Sequence, residues 1–382
     1  MTSALPVVSL FSGAGGLDLA VESVGRSGST ATPYKIAVAT DFDEAASGTF
    51  SANFPETPII VDDIRNVSTR SLLRAGGMEP GDTALVVGGP PCTPFSKSGF
   101  WLAEKRESRD PNASLLDEYA RVVREARPEA FVLENVQGLT YRTHRAQLNR
   151  LLKELTELGY NPHYKVLLAA DYGVPQLRKR VFIVGRRDGE AFTFPTPTHA
   201  GDSEHSKRRW DESLPMHRTA AEAFTGLAAE PEPEELVRGR WADLAASVPP
   251  GENYLWHTKR KGGQDVFEWR SRYWTFLLRL SPNKPSSTIQ AQPGPWVGPF
   301  HWENVQDPET GREAARRLRV QEILRLQTFP DDFSVVGDRS AAQRQVGNAV
   351  PVELGKAVVG ALAAQLGHSG APAPATPVGA LW

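Results

Sequence analysis

Short apolar runs alternate with amphipathic stretches through the first half of the chain, the rhythm of a parallel sheet flanked by helices. The pattern predicts strands at Val7 to Phe11, Ile36 to Thr40, Pro58 to Val61, Ala84 to Val87 and Ala130 to Leu133. Helical stretches fall between them, for example Leu17 to Val24 and Ser114 to Arg127. A further helix, Leu148 to Leu158, precedes two strand-like runs, Tyr164 to Leu168 and Arg180 to Val184. The segment between those runs, Asp171 to Gln176, is rich in turn residues, so the two read as an antiparallel pair. From about Phe192 to about Pro285 the rhythm gives way to Pro, Thr, Ser, Trp and charges, with an acidic linker at Ala229 to Glu235. Regular helices return at Arg319 to Leu326 and Val352 to Leu366, and the Gly/Ala/Pro-rich stretch from Gly367 to Trp382 is expected to be a disordered tail.

A chain of 382 residues holds one large α/β domain, or a domain plus a smaller module. One cysteine excludes an internal disulfide framework and any multi-cysteine zinc site, and no metal is expected. No stretch approaches the ~18 apolar residues of a membrane span, and the N-terminus lacks the layout of a signal peptide. A soluble, cytoplasmic protein without membrane partners is expected. The formal net charge of −2 is uninformative, but basic residues gather at Arg178-Lys179-Arg180, Arg186-Arg187, Lys207-Arg208-Arg209 and Lys259-Arg260-Lys261. Local basic surfaces for nucleic acid follow, although each run taken singly is more often a solvated face than a binding site.

The chemistry-bearing residues collect at the predicted strand ends. Cys92 follows Gly88-Gly89-Pro90-Pro91; such a cysteine is either a packed core thiol or a nucleophile aimed by a stiff turn. Phe11-Ser12-Gly13-Ala14-Gly15-Gly16 follows the first strand and is either a tight turn or a cofactor loop. Its spacing is not that of a dinucleotide fingerprint, because Asp18 stands where a third Gly would be needed. Asp41 and Asp63 end the next two strands, where one could take ribose hydroxyls and the other an adenine amino group, with Ile64 against the ring. Glu134-Asn135-Val136 closes the fifth strand on the same sheet edge as Cys92, suiting contact with a ring nitrogen. In Gln176-Leu177-Arg178-Lys179-Arg180, period-2 alternation puts Gln176, Arg178 and Arg180 on one face, for a phosphate or carbonyl, or as charge guarding a strand edge.

Taken in order, these pieces resemble those of the DNA (cytosine-5)-methyltransferases. Arg319-x-x-Glu322, Leu326-Gln327-Thr328-Phe329-Pro330 and Gln345-Val346-Gly347-Asn348-Ala349-Val350-Pro351 add to the match, which covers roughly residues 7 to 190 and 279 to 360. The resemblance implies a class I methyltransferase fold, with a Rossmann-like, mixed and mostly parallel sheet that binds S-adenosylmethionine, plus a smaller target-recognition domain. It divides the chain into a catalytic and cofactor-binding part (1–190), a variable target-recognition domain (191–318), a helical part returning to the catalytic domain (319–366) and the tail (367–382). Cofactor contacts are implied at Phe11, Gly13, Gly15, Gly16, Asp41, Asp63, Ile64, Pro91, Leu115, Asn348 and Val350.

The implied catalytic residues are Cys92, Glu134, Arg178 and Arg180. The Cys92 thiolate would add to C6 of a flipped-out cytosine, with Glu134 at N3 and the exocyclic amine, Arg178 at the carbonyl, and Arg180 at the active-site loop or a phosphate. Contacts to double-stranded DNA are expected from Ser96, Gln176, Arg270 and Arg272, and residues 93–110, including Phe100 and Trp101, resemble a loop that closes over the base. Trp256, Trp269 and Trp274 are expected in the core of the recognition domain. A monomer is expected, bacterial in type and on the nucleoid when bound to DNA, with a cognate restriction endonuclease or defence-system proteins as candidate partners. Thr93 departs from the usual glutamine, Ser9 from a common aspartate and Asp41 from a commoner glutamate. Transfer-RNA methylation and a silent DNA-binding homologue are the alternatives; the Gly spacing disfavours an NAD-linked oxidoreductase.

Overall fold

A computed structural model describes residues 4–25, 32–91, 115–201, 213–227 and 233–368. The first part alternates as the hydropathy predicts: β1 (Leu5–Leu10), α1 (Gly16–Ser23), β2 (Tyr34–Asp41), α2 (Glu44–Asn53), β3 (Ile59–Val61), α3 (Thr69–Ala75), β4 (Leu85–Gly88), α4 (Leu115–Ala126) and β5 (Ala130–Val136). Then come α5 (Arg145–Glu157), β6 (Asn161–Leu168), β7 (Gln176–Leu177) and β8 (Lys179–Arg186). The less regular stretch carries α6 (Ala220–Phe224), α7 (Ala242–Ser247), β9 (Ser286–Ser287) and a hairpin of β10 (Phe300–Gln306) and β11 (Glu313–Arg317). The chain closes with α8 (Val320–Leu326), α9 (Arg339–Asn348) and α10 (Val352–Gln365).

Seven strands form one sheet in the order β3-β2-β1-β4-β5-β8-β6. Neighbours from β3 to β5 pair in parallel, while β8 runs antiparallel to both β5 and β6, so the sheet is mixed but mostly parallel. This is the class I methyltransferase arrangement expected above, and the β6–β8 antiparallel pair is present. Successive strands step outward in opposite directions from β1, which leaves a crevice at the carboxyl ends of β1 and β4, where open α/β sheets bind ligands.

The central strands are apolar on both faces because both are covered. Val7, Val87 and Val132 point into one core cluster, and Val8, Val86 and Phe131 into the other. On the first face α10 lies against α1; a Cβ on Gly355 would meet the Ala20 Cβ at 2.7 Å and Leu17 Cδ1 at 3.3 Å. Such burial explains why α10 is apolar nearly all round: the stretch Arg339–Gln365 has a membrane-like composition, yet 67% of its most apolar window is buried inside the fold. A third cluster joins Ala20 of α1 to Leu280, Ile289, Leu326, Phe329 and Val346, which draws the end of the chain back onto its beginning. A fourth, drawn from Val237 to Ala315, forms a small core of its own within the stretch expected to be the recognition domain.

The α1–α10 contact tolerates no added volume. Gly355→Val should therefore lower unfolding stability by ~2 kcal/mol in urea titration. Gly360→Ala on the same helix, where an added Cβ meets nothing within 4 Å, should leave stability unchanged or raise it.

Candidate active site

The turn after β1 takes its shape from backbone that most side chains disfavour, with φ of 55° at Gly13 and 87° at Gly15. It is tied to the end of β2 by Ser12 N–H donating to Thr40 O (3.2 Å) and Gly13 N–H donating to Asp41 Oδ2 (2.7 Å). A Cβ on Gly16 would strike the Val350 carbonyl at 2.5 Å, so only glycine lets the turn sit against the C-terminal segment. Around this turn opens a cavity of about 480 Å³, a size typical of small-molecule sites.

Most cofactor residues expected from sequence line this cavity. Phe11, Gly13 and Gly16 come from the turn, and Asp41, Asp63 and Ile64 from the ends of β2 and β3. Pro91, Leu115, Asn348 and Val350 complete the set. Gly15 is the exception: it faces away, and a Cβ there would meet Phe54 Cε2 at 2.6 Å. Its role is to let the turn close over the Phe50–Phe54 pair behind it.

At the β4–β5 end lies a buried ion pair, with Arg180 Nε 2.7 Å from Glu134 Oε1. Burial raises the Glu134 carboxyl above its usual range, opposed first by Arg180 and then by Arg178. Asn135 Nδ2 donates to Pro90 O (3.1 Å), and a Cβ on Gly89 would come within 3.0 Å of Glu134 Oε2, so the Gly-Gly-Pro-Pro turn rests directly on this acid. Pro91 lines the cavity and Cys92 is the next residue; Cys92, Ser96, Phe100 and Trp101 lie outside the described residues.

Two expectations are corrected. Arg178 is fully buried and does not reach the cavity: Nη1 donates to Ile289 O (3.2 Å) and Nη2 to Gly347 O (2.8 Å) and Ala349 O (3.1 Å). Gln176 is also fully buried, so it is not a DNA contact; its Nε2 donates to Leu326 O and Gln327 Oε1 (both 3.1 Å), and its Oε1 accepts from Ile289 N–H (3.0 Å). The alternation argument fails because this is not one strand. Arg178 N–H donates to Gln176 O (2.9 Å), a turn that separates β7 from β8 and redirects the two side chains into the C-terminal segment. Only Arg180 is left facing the cavity.

The stretch expected to be the recognition domain also differs from expectation in its tryptophans. Trp269 and Trp274 are 37% and 63% exposed rather than in the core, and Tyr273 beside them is 69% exposed. Arg270 and Arg272 are exposed with them; Arg260 stacks over Trp269 at 4.6 Å, and Arg272 lies 5.7 Å from the Phe267 ring centroid.

Among the cavity residues that the motif reading left unassigned, Asp18 stands out. Asp18 is 0% exposed, lines the cavity with Ser9, and has no hydrogen-bond partner for either carboxylate oxygen. Burial pushes its carboxyl up to about 7; the Ser9 hydroxyl beside it works the other way, while Glu22 and Asp41 add to the rise. The available signal was a charge inside an apolar helical stripe, between Leu17 and Ala20-Val21, all buried. Asp41 is likewise raised by burial, against hydrogen bonds from the backbone of Asp43 and Gly13, whereas Asp63 is lowered by its hydrogen bond from Arg65.

Comparison with known proteins agrees with the geometry. The sequence model for C-5 cytosine-specific DNA methylases matches residues 5–364. The Type II methyltransferase M.SacI of Streptomyces achromogenes is 60% identical over 372 residues, covering 96% of this chain and 95% of that protein. M.NgoPII of Neisseria gonorrhoeae, also a Type II methyltransferase, is 29% identical over 374 residues, covering 94% and 95%. In fold the chain is similar to the Entamoeba histolytica methyltransferase EhMeth (TM-score 0.63, 16% identity, covering 96% of this chain and 99% of that one) and the S. pombe Dnmt2 methyltransferase (0.61, 16%, 95% and 99%).

Arg178→Met should cost ~3 kcal/mol or more in urea titration, because three buried carbonyls lose their donor at ~1–3 kcal/mol each. The Asp18 pKa is raised on folding, so the folded protein retains a proton that the unfolded chain releases. The melting temperature of the ligand-free wild type should accordingly fall relative to Asp18→Asn as pH rises from 4 through about 7, and the gap should then level off.

Proposed function

The chain belongs to the C-5 cytosine-specific DNA methylase family, and from that premise we propose how its residues divide the reaction. It is a DNA (cytosine-5)-methyltransferase that uses S-adenosylmethionine. The cavity suits that cofactor on its own terms: at Gly13 an added Cβ would meet no protein atom within 4 Å, which leaves the backbone open to a ligand, Asp41 and Asp63 stand at the ends of adjacent strands for a nucleoside, and Asn348 and Val350 close the remaining side. When bound, S-adenosylmethionine supplies an electrophilic methyl group.

The observation that carries the division of roles is the buried Glu134–Arg180 pair resting under the Gly89–Pro91 turn. Cys92, immediately beyond that turn, adds as thiolate to C6 of the target cytosine, and the C5–C6 double bond becomes an enamine nucleophilic at C5. Glu134 engages N3 and the exocyclic amine. Burial raises its carboxyl above the usual range, and Arg180, paired with it, holds the carboxyl in place and faces the cytosine carbonyl. Arg178 acts on the reaction through the position of residues 347–349 and through its charge, which opposes the rise of the Glu134 carboxyl. Once C5 has been methylated, loss of its proton and departure of Cys92 restore the aromatic ring.

The substrate base is buried in duplex DNA, so it is flipped out at a cost of a few kcal/mol. Exposed Arg270, Arg272, Tyr273 and Trp274 support a reading surface on the recognition domain, since guanidinium groups and aromatics suit phosphate and base-edge contacts. Likeness over nearly full length to a Type II methyltransferase supports a site-specific enzyme acting on DNA; a cognate endonuclease, a monomeric state and a cytoplasmic location are our further proposals.

Incubation with labelled S-adenosylmethionine and either duplex DNA or tRNA tests the assignment. Label should enter DNA alone; Cys92→Ala should abolish transfer and the covalent adduct with 5-fluorocytosine DNA, and Glu134→Gln should lower kcat by ~10²–10⁴-fold. Arg272→Ala should weaken DNA binding and flatten its salt dependence while leaving S-adenosylhomocysteine affinity unchanged. Label in tRNA alone would overturn the substrate assignment.

A further inference from the structure

Six carboxylates line the cavity: Asp18, Asp41, Asp43, Asp62, Asp63 and Glu134. Five are engaged within the protein. Asp41 accepts from Gly13 N–H, Asp43 from Ala46 N–H, Asp62 from Asp63 N–H, Asp63 from Arg65, and Glu134 is paired with Arg180. Asp18 alone has neither oxygen partnered, and it is the most deeply buried of the six. A carboxylate in the first turn of a helix ordinarily caps that helix. Here the Gly15 N–H is already taken by Ser12 O (2.9 Å), and both Asp18 oxygens remain over. An orphaned buried carboxylate that lines a ligand cavity is a site waiting for a cation.

The sheet order decides which cation. The nucleoside belongs over β2 and β3, where Asp41, Asp63 and Ile64 stand, and the pyrimidine belongs by β4 and β5, with Glu134 and Arg180. The amino-acid end of the cofactor is left the space between α1 and residues 348–350, which touch where Gly16 meets the Val350 carbonyl; Asp18 is two residues further along α1. We infer that Asp18 is the counter-ion for the α-ammonium group of the cofactor. The inference rests on the cofactor site assigned above.

Calorimetric binding of three probes to the full-length protein and its Asp18→Asn variant tests this. The probes are S-adenosylhomocysteine, its des-amino analogue and 5′-methylthioadenosine, which lacks the amino-acid arm. Wild type should prefer S-adenosylhomocysteine over the des-amino analogue at least tenfold. Asp18→Asn should erase that preference while binding 5′-methylthioadenosine within twofold of wild type. The wild-type preference needs no variant, so it stands as a readout even if Asp18→Asn folds poorly. A variant that keeps the preference, or that loses affinity equally for all three probes, overturns the inference, as does a wild type with no preference. Wild type binding none of the probes would overturn the cofactor site itself.

Discussion

The site depends on a pair of fully buried side chains behind the cavity wall. Arg178 and Gln176 reach from the β7–β8 turn into the returning chain and satisfy the main chain at Ile289, Leu326, Gly347 and Ala349. Buried carbonyls need donors, and a guanidinium supplies five in a rigid fork. Several backbone segments are thus fixed by one arginine and one glutamine, and the segment holding Asn348 and Val350 becomes a wall of the cavity. Remove the fork and the wall has no fixed position, however intact the acids on the strands.

The cavity's electrostatics follow from that closure. Burial raises the carboxyls of Asp18, Asp41 and Glu134, while Asp63 on the rim, held by Arg65, is lowered. The inner carboxyls are thus shifted one way by burial and the rim acid the other way by its arginine, across a single pocket.

Much of this was legible in the chain. The strands and helices of the first half lie within a few residues of their predicted limits, because both faces of the sheet are buried and the apolar runs are unambiguous. The strand-end residues Asp41, Asp63 and Glu134 could be placed on one edge for the same reason. What could not be read was direction. Alternation assigned Gln176, Arg178 and Arg180 to one face, and a one-residue break at Arg178 undid it. The tryptophans of the recognition domain looked like core by size, yet Phe267, Phe276 and Phe300 fill that role and leave Trp269 and Trp274 outside. Asp18 was visible only as a charge in an apolar stripe, and its significance required knowing that no partner meets it.

The pocket is assembled from both ends of the polypeptide, the glycine turn near residue 13 and the segment near residue 348. During synthesis at roughly 5–20 residues per second, the early strands and their thiol leave the ribosome many seconds before the wall that completes the pocket. Until the segment near residue 348 has been made, one wall of the pocket is missing.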